Sequence, residues 1–266
     1  MARPQEMPDT APARPRAVVR GWLRRARPWL GTLVDIGVPV GCEPALEAAF
    51  EAIARAHRLM SVQDEGSDLS RAHAAAVGLP VAIHPWTAEV LRLSLDLQSR
   101  SDGLFDVARG SGRWAVRSLQ GEAGHALVRL DAGTRLDLGG IAKGWAVDQA
   151  VRAAQAAGAA AVWVNAGGDL RAEGVTVPVR LRDEREGGAH TWLQLSDGAI
   201  ATSDFTPGAR SELAGTLRAA HVSVAAPDCA WADALTKVLA QLGDAQHPLA
   251  QALLQAHGAR AWVHVR

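Results

Sequence analysis

At 266 residues, 48% of them hydrophobic, the chain is long enough for one large domain or two small ones around a real core. Its 28 basic and 28 acidic residues cancel to a net charge of zero, which argues against a nucleic-acid or polyanion binder. Cys42 and Cys229 form no CxxC or zinc spacing and read as buried thiols, and no apolar run approaches the roughly 20 residues of a membrane span.

Residues 1–26 are rich in proline and arginine and read as a disordered basic arm ahead of a domain over 27–266. Arg24-Arg25 before Trp29–Val40 and Gly41-Cys42 faintly imitates a signal with a lipid-attachment cysteine. Asp35 and Pro39 interrupt that run, so Gly31–Val38 reads as a strand and the cytoplasm is the expected location. Pro44 opens a helix with Leu46, Phe50 and Ile53 inward and Glu47, Glu51, Arg55 and Arg58 outward. Met60–His73 is polar, and Ser67 or Asp68 caps a short helix there. Pro85 begins a Leu-rich helix over Trp86–Ser99, Leu104–Val107 leaves it as a strand or tight turn, and residues 108–126 read as loop.

The most informative stretch is 134–174. A strand ending in Leu136-Asp137-Leu138 runs into Gly139-Gly140 and then a helix. Ala146, Val147, Ala150, Val151, Ala154 and Ala157 share its apolar face, opposite Asp148, Gln149, Arg152 and Gln155. Gly158 ends the helix, Ala161–Val164 is a buried strand, and that strand stops at Asn165-Ala166-Gly167-Gly168-Asp169. Two glycine turns with an acid beside each thus stand at strand ends, where backbone approaches a ligand closely. Short strands follow near Val175–Leu181 and Thr191–Leu195, joined by the loop Arg182–Gly188, then Gly198–Ser203 and His221–Ala225. Helices over Ala230–Leu242 and near Pro248–His257 and a strand Ala259–Val265 finish an α+β pattern.

Only Lys143 and Lys237 of the 28 Lys+Arg residues are lysine, Asn165 is the single asparagine, and tyrosine is absent. A surface lysine becomes arginine at little cost, whereas a site that uses an ammonium as a compact charge does not tolerate the change. This favours a functional Lys143, while Asn165 serves equally well by holding a turn. The dinucleotide pattern G-x-G-x-x-G and the P-loop are both absent. A glycine turn entering a helix N-terminus, with a lysine in the first turn, instead suits a diphosphate. In Ala230–Leu242, Trp231, Leu235, Val238, Leu239 and Leu242 form an apolar stripe opposite Asp233, Thr236 and Lys237. That trio reads as an ordinary exposed i,i+4 pair, or as the setting of the second retained lysine. No hydrolytic triad or histidine metal motif is present, and no catalytic residue is assigned.

The segments DLGGIAKGWAVD, VNAGGDL, GAIATS and VSVAAP…WADALTKVLAQLG occur in an order that resembles the ApbE family, the FAD:protein FMN transferases. MSVQDEGSDLSRAH, LFDV and RPWLGTLVDI resemble its earlier motifs, with Leu30 where methionine is usual. The resemblance implies an α+β, ApbE-like flavin-binding fold of mixed sheets with packed helices. It also implies Mg2+, and transfer of FMN from FAD to a Ser or Thr hydroxyl of an acceptor flavoprotein, with release of AMP. By motif position, Leu104, Phe105, Asp106 and Asp137 would contact FAD and Lys143 would lie near its phosphates. The Gly140 carbonyl, Asp233 and Thr236 would serve Mg2+.

Three departures accompany the resemblance. Lys237 stands where the last metal ligand is usually Thr, the H-x-x-D-P-x-T-G segment is missing from 204–221, and a flavin-side tyrosine near Met60 has no counterpart. An ammonium at 237 would pair with Asp233 and take over part of the work of Mg2+; alternatively the lysine swings outward and Thr236 supplies the oxygen. Alternatives to the transferase are a flavin-binding carrier that has lost transfer and an FAD pyrophosphatase.

Overall fold

The computed structural model describes residues 21–119, 124–183, 188–206 and 217–265. The order is β1 (Trp22–Trp29), β2 (Thr32–Pro39), α1 (Glu43–Met60), α2 (Asp68–Ala74), β3 (Val81–Ile83), α3 (Pro85–Arg100), β4 (Trp114–Ser118), β5 (His125–Arg129) and α4 (Ala142–Ala156). Then come β6 (Val162–Ala166), β7 (Asp169–Asp183), β8 (Gly188–Asp204), β9 (Ala219–Ala226), α5 (Cys229–Leu242), α6 (Pro248–Ala256) and β10 (Arg260–Val265). Among the described residues a seven-stranded antiparallel sheet runs β1-β2-β6-β7-β8-β9-β10, and a small sheet runs β3-β5-β4. The fold is α+β, and no described helix is long and apolar enough to cross a membrane.

Packing follows the apolar patterns. Helix α1 buries Leu46, Phe50 and Ile53 against α4, and α4 in turn packs on α5. Helix α5 lies between α4 and strands β8 and β9, so it is covered on two sides. A second cluster of Leu181, Leu193, Leu195 and Ile200, with Trp163 and Trp262 against it, is built from the large sheet alone.

Several expectations are corrected. Residues 21–26 are not an arm: β1 pairs with β2 over its full length, from Trp22 with Pro39 to Trp29 with Thr32. Its arginines are engaged, Arg24 Nε donating to Asp35 Oδ1 at 2.9 Å and Arg27 to Glu47 at 2.7 Å. An arginine-rich edge strand has the composition of a solvated tail, which is why the two look alike in sequence. Residues 1–20 lie outside the described residues. Within 108–126, β4 and the start of β5 form part of the small sheet rather than loop. Leu136–Leu138 forms no ladder, because its backbone is claimed elsewhere: Leu136 N–H donates to His73 Nε2 of α2 at 2.9 Å and Asp137 N–H to Val107 O in the loop 103–110 at 2.8 Å. The short strands expected between 175 and 203 are two long ones, β7 and β8. Cys229 is buried, but Cys42 is only half-buried.

Asp148, expected on the solvent face of α4, is buried. Its carboxylate accepts from the N–H groups of Cys229 and Ala230 at 2.8 and 2.9 Å and from Arg171 at 2.6 Å. It therefore ties the uncapped N-terminus of α5 to α4, satisfying donors that a helix end leaves open. Burial pushes the Asp148 carboxyl up, against the pull of Arg171 and the two backbone donors. Gly144 completes the contact, since a Cβ there would stand 2.7 Å from the Cys229 carbonyl carbon and 2.8 Å from Asp233 Cβ. Gly144→Ala is expected to force the two helices apart and cost about 1–3 kcal/mol. A urea unfolding midpoint unchanged from the unaltered protein would contradict this.

Candidate functional site

A cavity of about 720 Å3 opens where the strand turns, the loop 103–110 and the N-terminus of α4 meet. Two tight turns form part of its wall. Leu30 and Gly31 (φ 55° and 70°) connect β1 to β2, and Gly167 and Gly168 (φ 61° and 104°) connect β6 to β7. Positive φ at both central positions is the two-residue hairpin geometry, and Leu30 adopts it without being glycine. A Cβ on Gly167 would stand 3.0 Å from Thr32 Cβ, so the two turns touch only because this residue is glycine. Asn165 Oδ1 accepts from Gly168 N–H at 3.1 Å, and this asparagine thus holds its turn.

The loop 103–110 is shaped by Asp106, whose two carboxylate oxygens accept from the N–H groups of Ala108 and Gly110 at 2.8 and 2.7 Å. Gln241 fixes the loop from α5 by donating to Leu104 O at 2.6 Å. Leu104, Phe105 and Leu30 present apolar surface to the cavity. Asp137 faces it from the other wall, accepting from Gly139 N–H at 2.8 Å and from Arg109 at 2.6 Å. After Gly139-Gly140, helix α4 begins with Ile141 as a cap that offers no side-chain acceptor, and its first turn carries no acid. Its first N–H groups are largely engaged, Ile141 and Ala142 donating to Leu138 O at 3.0 and 2.8 Å and Gly144 to Asp233, so this helix end offers an anion the positive end of its dipole rather than a row of free donors.

Behind that wall stand two lysine–aspartate bridges. Lys143 pairs with Asp169 at the start of β7, and Lys237 pairs with Asp233 one turn earlier in α5. Both carboxylates are fully buried. Asp233 Oδ2 also accepts from Gly144 N–H at 3.2 Å, so it touches α4 as well. Burial opposes the charge on Lys143, but Asp169 and Asp233 outweigh it and raise its pKa above the ordinary lysine range. Burial and the neighbouring Asp233 carboxylate push Asp169 up to about 7. Burial opposes ionisation of Asp233 too, yet Lys237 and Lys143 overcome it and hold its carboxyl low.

The expected flavin residues Leu104, Phe105, Asp106, Asp137 and Lys143 all line the cavity, as does Gly140. Asp233 and Thr236 do not. The Thr236 hydroxyl is buried, donating to Asp233 O at 2.6 Å and sharing a 2.8 Å hydrogen bond with Ser203. The helix face read as a candidate exposed pair is thus interior, because β8 covers it. Among the described residues no three His, Cys, Asp or Glu side chains converge on a metal position. Arg109, Gln241 and Gln63 were not anticipated as lining residues; Gln63 reaches the cavity from the segment where the flavin-side tyrosine is missing. Nothing local marks Arg109 or Gln241, whose partners lie 28 and 137 positions away. Most of 204–221, where the missing motif would fall, lies outside the described residues.

The same fold is found in solved flavin transferases. The chain superposes on the flavin transferase ApbE from Vibrio cholerae with a TM-score of 0.75 at 20% identity, over 92% of this chain and 94% of that one. It superposes on the apo form of the flavinyl transferase ApbE from Pseudomonas stutzeri with a TM-score of 0.75 at 21% identity, over 92% and 91%. For the ApbE protein from Thermotoga maritima the TM-score is 0.76 at 21% identity, over 91% and 94%. The ApbE family model matches residues 30–205, two-thirds of the chain, and the protein belongs to that family. No curated protein matches the sequence.

Lys143→Ala is expected to leave Asp169 buried without its cation and to cost about 3 kcal/mol or more. Adding Asp169→Asn should recover most of that loss in a urea unfolding series. Simple addition of the two losses would show that the bridge is not the interaction at stake.

Proposed function

We propose that this protein is an FAD:protein FMN transferase, moving FMN from FAD to a Ser or Thr hydroxyl of an acceptor flavoprotein and releasing AMP. One observation carries this reading: a single cavity joins a helix N-terminus that carries a lysine in its first turn to apolar walls. That pairing of surfaces fits a ligand with a diphosphate at its middle and a flat ring at one end. The ApbE membership and the names of the solved relatives support the flavin as that ligand.

In this reading the positive end of the α4 dipole and the Lys143 ammonium hold the diphosphate. Leu104, Phe105 and Leu30 cover the isoalloxazine ring, while Asp106 holds the shape of the loop 103–110 and Asp137 positions Gly139. The acceptor oxygen attacks the phosphorus of the FMN half and forms the new P–O bond as the bond to the AMP phosphate breaks. The hydroxyl proton leaves to the released phosphate or to solvent. Alignment and charge neutralisation do most of this work, which is why the site needs fixed cations more than a nucleophile of its own.

FAD is expected to bind at least about tenfold more tightly than riboflavin, because charge-assisted contacts to phosphate are worth about 1.5–3 kcal/mol. Incubation with FAD and a candidate acceptor should add the mass of one FMN to the acceptor and release AMP stoichiometrically. Free FMN with AMP and an unaltered acceptor would instead identify a pyrophosphatase. Bound, intact FAD with neither product would identify a carrier.

A further inference from the structure

Lys237 enters the cavity wall from α5 with only 12% of its side chain exposed. Its ammonium donates to Asp233 Oδ1, to the Asp233 carbonyl oxygen at 3.1 Å and to Ser203 Oγ at 3.0 Å. Three acceptors exhaust the three donors of an ammonium. Its stem lies against Gly140, where an added Cβ would stand 3.7 Å from Cε and 3.8 Å from Cγ. Asp233, Gly140 and the hydroxyl layer of Ser203 and Thr236 thus surround one monovalent cation that belongs to the chain itself.

We propose that Lys237 is a built-in cation that stands in the place of a divalent metal, so that this site binds FAD without Mg2+. The proposal rests on the reading of the cavity as an FAD site. The donor set is what disagrees with Mg2+, an ion that demands a close octahedron of oxygens. The Asp233 carboxylate divides its oxygens between Lys237 and Gly144 N–H, and the Thr236 hydroxyl is committed to Asp233 O and Ser203. A divalent ion entering here would meet an ammonium already held by three hydrogen bonds. Swinging the lysine outward would break all three and leave Ser203 and Asp233 to be satisfied anew. The ammonium is also one charge where the metal would be two, and it cannot accept a phosphoryl oxygen into a coordination shell. With its donors committed it acts on the diphosphate through its charge alone, holding it in place more than activating it, and it is a positioning residue.

The test is binding rather than turnover. The full chain is titrated with FAD in EDTA and again in excess Mg2+, following flavin fluorescence, and separately with MgCl2 alone by calorimetry. The expected result is an FAD dissociation constant that changes less than about twofold between the two conditions, with no heat of Mg2+ binding. Lys237→Thr should take up Mg2+ and make FAD binding at least about tenfold Mg2+-dependent, and Lys237→Met should weaken FAD in both conditions. Saturable Mg2+ uptake by the unaltered protein, or a tenfold gain in FAD affinity on adding Mg2+, overturns the proposal whatever the variants do. Failure to bind FAD in either condition overturns the FAD reading itself, a result distinct from Mg2+-dependent binding.

Discussion

Two fully buried carboxylates, Asp169 and Asp233, set the terms for this structure. An ionised carboxylate without water is costly unless a cation is within hydrogen-bond reach, and each has one: Lys143 for Asp169 and Lys237 for Asp233. These bridges fasten α4 to the turn that opens β7, and lock α5 to β8 through Ser203. They work only because the helices approach closely at Gly144, and because Asp148 ties the first residues of α5 to α4. The same cations that neutralise the interior stand at the wall of the cavity.

Much of this was legible in the sequence, for identifiable reasons. An arginine-rich chain that keeps only two lysines marks where the difference between ammonium and guanidinium counts, and both lysines reach the site. Helices with a clear apolar stripe, such as α1, α3 and α5, fell where periodicity put them. What periodicity cannot show is a second covering layer. Asp233 and Thr236 look like a solvent face until β8 and β9 close over α5, and Asp148 looks exposed until Arg171 and the start of α5 converge on it. Strand β1 was hidden by its arginines, and β4 by the glycines and serines around it. Arg109 and Gln241 depend on loops that meet only in the folded chain.

The proposed site divides its chemistry between two halves. On the proposed reading, the glycine turn, the N-terminus of α4 and Lys143 form the half that meets the diphosphate. The other half carries Lys237, whose three hydrogen bonds leave no gap in the wall around Asp233. A fixed ammonium is always present at one charge, whereas a metal comes and goes with its concentration in solution. If Lys237 stands in for the metal as proposed, the exchange trades catalytic polarisation for constancy of binding.

Because Lys143 and Lys237 are the chain's only lysines, their side-chain nitrogens can be observed together and without overlap. The most direct test of the central claim is an NMR spectrum of isotope-labelled lysine ammonium groups, recorded near neutral pH in EDTA, before and after addition of FAD or riboflavin. Two protected ammonium signals should be visible in the free protein, and FAD should shift both while riboflavin leaves the Lys143 signal in place. Ammonium signals lost to rapid solvent exchange, or unmoved by FAD, would contradict the account of two half-buried, ion-paired lysines that serve one diphosphate.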